Sequence, residues 1–209
     1  MTKKEMLLSL LLNLFVILPV LGSIAAFFLG GGQGNMKHRG TEALRYFTVD
    51  SNLFCAAGCL CAFVWEISTL GRGGEHLPRW LDLLRFVGSV SVGVTFFTVL
   101  LILLPATRFD FEMMYAGRNF YLHGLCPLAA MGNWVYVEHG PSLHLGWTLL
   151  GLIPTLLYGI LYLRMVLLHR SWEDFYGFIQ GRNWRVSCLI MLALSFAISA
   201  GLWALRAPG

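Results

Sequence analysis

FVGSVSVGVTFFTVLLILL, Phe86–Leu104, runs for nineteen residues without a charged side chain. As a helix rising 1.5 Å per residue it is about 28 Å long, which matches the hydrocarbon core of a bilayer. Outward from it, similar apolar segments occupy about 6–29, 43–70, 80–104, 120–137, 144–168 and 185–206. The 209-residue chain is 57% hydrophobic and only 12% charged, against about 25% charge in soluble domains. The sequence therefore predicts an all-α, polytopic integral membrane protein. It is read as one domain, residues 1–209, with six transmembrane helices around an intramembrane cavity.

The fourth segment is the shortest and contains Pro127. The first is too long for a signal-peptide core and is followed by no clear cleavage site, so it is expected to be retained. Helical spans joined by short loops also exclude the alternating ten-residue pattern of a membrane β-barrel. Five cysteines fall within the spans, and neither a disulfide framework nor metal-ligand spacing emerges, so no metal or cofactor is expected. The net charge of +4 is spread over several loops. It suits anionic headgroups and makes no case for nucleic acid. No motif for a nucleotide or a protein partner is present.

Six spans put loops 1–2, 3–4 and 5–6 on one face and both termini on the other. Lys and Arg do not separate the faces clearly; Lys3 and Lys4 favour cytoplasmic termini. Phe109, Phe111, Tyr115, Phe120 and Tyr121 surround loop 3–4, and Trp172, Phe175, Tyr176, Phe178 and Trp184 mark loop 5–6. Such rings belong at membrane interfaces. They also suit two loops folded over a cavity that admits an amphipathic molecule.

Within the second span, LRYFTVDSNLF (Leu44–Phe54) is unusually polar. Thr48, Ser51, Asn52, Cys55 and Cys59 fall on one helical stripe, the kind that faces other helices. Asp50 points about 200° away from Thr48 on the helical wheel and could pair with Arg45 or Arg118. Small polar residues often join helices by hydrogen bonds, which is the plainer account of the stripe.

His123 lies near the start of the fourth span, on the same membrane face as Thr48. An intramembrane histidine is costly and usually faces a bundle interior or a wet cavity. Pro127, four residues on, would free the His123 carbonyl and open the helix locally. Asn119, one turn earlier, could orient the ring. A hydroxyl beside an imidazole is the minimum for nucleophilic catalysis. Thr48 and Ser51 are the rival hydroxyls, and no G-x-S-x-G elbow is present.

Asp82 and Arg85 at the start of span three are expected to snorkel. Glu66 lies too far along its helix to share a site with Thr48. Gly88, Ser91, Thr95 and Thr98 form a small-residue seam on span three. Arg164 could reach a headgroup or a substrate carboxylate. His38, His76, His139, His144 and His169 fall in loops or at span ends.

YFTVDSN opening span two, LRFVGSVSVGVTFFTVLLILLP as span three, LHGLCPLAAMGNW as span four and WEDFYGF in loop 5–6 occur in that order. Together they resemble the androgen-induced gene / androgen-dependent tissue-factor-pathway-inhibitor-regulating protein family, especially its six-span bacterial relatives, over roughly residues 43–180. Two features differ: Asn133 precedes Trp134 where an acidic residue is usual, and Tyr176-Gly177-Phe178 lacks the proline of the family's YPF run. The resemblance implies a membrane threonine hydrolase that cleaves fatty acid esters of hydroxy fatty acids, in a bacterial plasma membrane. By motif, the nucleophile is Thr48 and the base His123.

The expected partners are thus the bilayer and a lipid or fatty acid ester. Ser51, Asn52, Arg118 and Asn119 are candidate oxyanion donors. Asp50 is a candidate to orient His123, and Arg118 or Arg164 to meet a substrate carboxylate. The rival readings are a non-enzymatic lipid-binding or sensing protein, an acyltransferase using the same residues, and a haem carrier. The last needs paired histidines on facing spans, and only His123 is clearly inside one.

Overall fold

The computed structural model describes residues 2–30, 36–72, 76–138, 140–179 and 183–206. Among them most of the chain is helical, without strands. The elements are α1 (Lys3–Leu29), α2 (Phe47–Thr69), α3 (Arg79–Ala106), a short α4 (Phe111–Tyr115), α5 (118–136), α6 (Leu145–Leu168) and α7 (Trp184–Arg206). A 3₁₀ turn, Gly40–Arg45, leads into α2.

Five of these, α1, α2, α3, α6 and α7, are long and apolar enough to cross a membrane. The chain is accordingly a membrane-embedded helical protein. Helix α5 is 19 residues long but carries Arg118, Asn119, His123 and Asn133, and packing explains how it tolerates them. It lies against α1, α2 and α3, so Leu122, His123, Cys126, Ala130, Asn133 and Trp134 are buried in protein and need not satisfy lipid. The outer helices show the converse. Of the apolar stretch of α6 only 17% is buried, against 61% for α3. Helix α3 is the central post and α6 a lipid-facing wall.

Local sequence sets several ends. Thr2 and Glu5 form a reciprocal capping box on α1. Asp110 caps α4 through the Met113 amide at 2.9 Å. In α5 a π turn at Tyr121–Leu125 immediately precedes Pro127, so the local widening of the helix falls at His123. Helices α2 and α3 touch along the small-residue seam. A β-carbon on Gly88 would lie 3.2 Å from the Cys55 Cα, so the backbones approach as closely as a missing side chain allows.

The terminal end of the bundle is pinned by buried charge, which corrects the expectation that Asp82 and Arg85 snorkel. Both are fully buried. Arg85 Nε donates to both carboxylate oxygens of Glu138, at 2.9 and 3.1 Å. Asp82 accepts from Trp134 Nε1 at 3.0 Å and from Arg206 at 2.5 Å. Glu66 accepts from Ser9 at 2.5 Å and from Asn13 at 3.4 Å, while Asn133 donates to Glu138 at 3.0 Å. These residues lie on α1, α2, α3, α7 and at both ends of the Asn133–Glu138 stretch. Snorkelling fails because five elements converge there and supply partners that water would otherwise provide.

Candidate functional site: the Thr48–His123 region and the adjoining pocket

The stripe on α2 is buried as its spacing predicts: Thr48, Ser51, Asn52, Cys55 and Cys59 all face protein. Asn52 is its structural centre. Its Nδ2 donates to the Thr48 carbonyl at 2.8 Å and to the Leu122 carbonyl at 3.0 Å. A single amide nitrogen thus bridges the start of α2 and the residue next to His123. Both its N–H groups are engaged, so here Asn52 ties helices together. Ser51 Oγ lies 3.2 Å from the Thr48 carbonyl and 2.8 Å from Thr95 Oγ1, joining α2 to α3.

His123 is fully buried. Its Nδ1 lies 2.7 Å from the Met114 carbonyl. A carbonyl can only accept, so Nδ1 carries the proton and the lone pair of the neutral ring sits on Nε2. Among the described residues Nε2 has no hydrogen-bond partner. The ring is oriented by the α4 backbone, not by Asn119 or Asp50. Asn119 Nδ2 instead donates to the neighbouring Met113 carbonyl at 3.2 Å, so both residues hold the same short helix. Sequence spacing could not show this, because α4 lies outside the spans.

Thr48 lines a pocket of about 280 Å³ between α2, α3, α6 and α7. Thr95, Thr98 and Thr155 add hydroxyls, and the rest of the wall is apolar or aromatic, with Val99, Leu103, Leu156 and Met191 among it. His123 does not line this pocket, and no hydrogen bond joins Thr48 Oγ1 to His123 among the described residues. Asn52 is the connection between them.

The other candidates lie apart. Arg45 pairs with Glu42 at 2.7 Å, not with Asp50. Arg118 rests over the Phe27 ring at 4.6 Å. Arg164 is exposed and donates to His169 Nε2 at 3.1 Å, in a separate open groove with Met165 and Ser171. Neither Arg118 nor Arg164 lines the Thr48 pocket. His139 lies outside the described residues.

Two tyrosines make contacts that sequence spacing could not assign. Tyr176, from the YGF element, accepts from the Phe47 amide at 3.0 Å, one residue before Thr48. It thereby satisfies one of the open amides of the first turn of α2. Burial holds its hydroxyl above the ordinary phenol range, which keeps it neutral. Tyr158 donates to the Arg45 carbonyl at 2.6 Å. With Tyr162 and Phe178 they form an aromatic cap over the loop end of the pocket. The chain matches no family model, no curated protein and no solved structure.

Proposed function

We propose that this chain is a membrane-embedded lipid ester hydrolase, with Thr48 as nucleophile and His123 as general base. In this reading α5 crosses the membrane with the five apolar helices. The pocket then opens among four of the six, α2, α3, α6 and α7, and the protein resides in the plasma membrane of a bacterial cell. The observation that carries the reading is the state of His123. Its Nδ1 is committed to the Met114 carbonyl, and Nε2 is left with a lone pair and no partner beside the stretch that Asn52 ties to Thr48. The Met114 carbonyl plays the part that a carboxylate plays in a serine triad, fixing tautomer and ring direction.

The reaction would run in two steps. Thr48 Oγ1 attacks the acyl carbon while Nε2 takes its proton, and the carbonyl electron pair moves onto oxygen. Collapse breaks the bond to the leaving alkoxide, which takes the proton from Nε2 and departs as an alcohol. Water, deprotonated by Nε2, then attacks the Thr48 ester. The acid departs as Thr48 recovers its proton. A candidate oxyanion donor is the Thr95 hydroxyl, which lines the pocket and would turn its proton from Ser51 to the oxyanion. Catalytic hydrogen bonds often tighten only around substrate, and this reading requires Thr48 Oγ1 and His123 Nε2 to come together when the ester binds.

The absent Thr48–His123 bond favours a second reading, in which the pocket binds lipid without cleaving it. The discriminating experiment incubates purified protein with a branched fatty acid ester and measures the acid released. Turnover lost in both Thr48→Ala and His123→Ala supports the hydrolase. Wild-type protein that binds the ester and releases no acid supports the binding protein. Release as a new ester on an added alcohol points to acyl transfer by the same residues.

A further inference from the structure

We infer that the pocket is filled sideways, from the bilayer, by the acyl chain of a membrane-resident lipid passing between α6 and α7. This rests on the hydrolase reading for its purpose but on separate observations for its geometry. The pocket draws its wall from Thr95–Leu103 of α3, Thr155–Leu163 of α6 and Trp184–Leu192 of α7, all inside apolar helices long enough to span. Its wall therefore runs from the loop-side ends of α2 and α7 into the spanning helices. No charged side chain lines it among the described residues, so it suits an uncharged chain and leaves any carboxylate or headgroup outside.

The two sides of the pocket are closed differently. Towards the loops, Tyr176 is bonded to the Phe47 amide, and Tyr162 donates to Asp174 at 2.7 Å. Asp174 also accepts from the amides of Phe178 and Ile179, at 3.0 and 2.8 Å. That side is latched by hydrogen bonds and stacked rings. Towards the lipid, the wall is one side chain thick. Leu156 and Ile160 line the pocket and are also 47% and 58% exposed on the outer face of α6. Beside them Gly159 lines the pocket too, and a β-carbon there would meet no atom within 4 Å.

The test uses the full chain in phosphatidylcholine nanodiscs, with the methyl ester of a conjugated-polyene fatty acid as probe. Trp184 lines the pocket and serves as energy donor to the bound polyene. The expected result is saturable transfer in the wild-type protein. Gly159→Leu and, from the opposite wall, Thr98→Leu should each weaken it at least tenfold. Phe175→Ala, which removes a ring packed on Tyr162 and Tyr176 of the loop-side cap, should leave the rate of binding unchanged. Binding by both filling variants at wild-type strength would overturn the inference, as would faster binding in Phe175→Ala, which would mean admission from water. Saturable binding without release of acid would sink the hydrolase reading and leave this one standing.

Discussion

His123 Nδ1 and the Met114 carbonyl lie 2.7 Å apart, joining a buried ring in α5 to the backbone of the short loop helix α4. This contact fixes which ring nitrogen holds the proton. Histidine in water favours the opposite tautomer, so the environment imposes the choice. Nitrogen-15 NMR of histidine-labelled protein is expected to show His123 as the Nδ1–H form at neutral pH. An Nε2–H signal would remove the base from the proposed mechanism. Asn119→Ala, which releases Met113, should mix the two tautomers.

Asn52 Nδ2 makes two buried hydrogen bonds, one within α2 to the Thr48 carbonyl and one across to the Leu122 carbonyl of α5. Asn52→Ala would leave the Thr48 carbonyl without this partner and the Leu122 carbonyl with it lost. The expected loss of stability is about 1–3 kcal/mol, read as a lower melting temperature in detergent. On the proposed mechanism hydrolysis should fall as well, since Thr48 and His123 lose their common tie. A variant with native stability and full activity would show that the tie is dispensable.

At the opposite end, Arg85 and Glu138 form a fully buried pair. Removing one partner, as in Glu138→Ala, should cost about 3–5 kcal/mol, because the remaining charge stays in a dry site. Replacing both with apolar residues of similar volume should cost much less than the sum of the single changes. A double-mutant cycle in thermal melts measures this directly. Additive losses would mean that the two groups do not act as a pair.

Gly88 faces the Cα of Cys55 at 3.2 Å from where a β-carbon would stand. Gly88→Val should force α2 and α3 apart and destabilise the protein by about 1–3 kcal/mol, the usual cost of overpacking. It also shifts Thr48 relative to Thr95, so pocket binding should weaken with stability. Unchanged melting would place the closest helix contact elsewhere.

Hydrophobic length was a sufficient guide to the helices. Each apolar segment has a helical counterpart, and five are long and apolar enough to cross a membrane. The burial of Thr48, Ser51, Asn52, Cys55 and Cys59 follows from a 3.6-residue period read on one helix. What spacing could not reveal depends on partners distant in sequence. Asp82 and Arg85 look like interfacial charges until Glu138, Trp134 and Arg206 converge on them. The Met114 carbonyl carries no side-chain signature at all. Tyr176 reads either as an interfacial ring or as part of a loop folded over a cavity; it lines the pocket, and its bond to the Phe47 amide was beyond the reach of sequence spacing.

The most direct test of the central claim is acid release from a branched fatty acid ester by purified wild type, Thr48→Ala, Thr48→Ser, Ser51→Ala and His123→Ala. Melting curves run alongside to verify the fold. The account predicts a loss of at least about a hundredfold in Thr48→Ala and His123→Ala, with activity retained in Thr48→Ser and Ser51→Ala. Full activity in folded Thr48→Ala, or its loss in Ser51→Ala alone, would contradict the assignment of Thr48 as nucleophile.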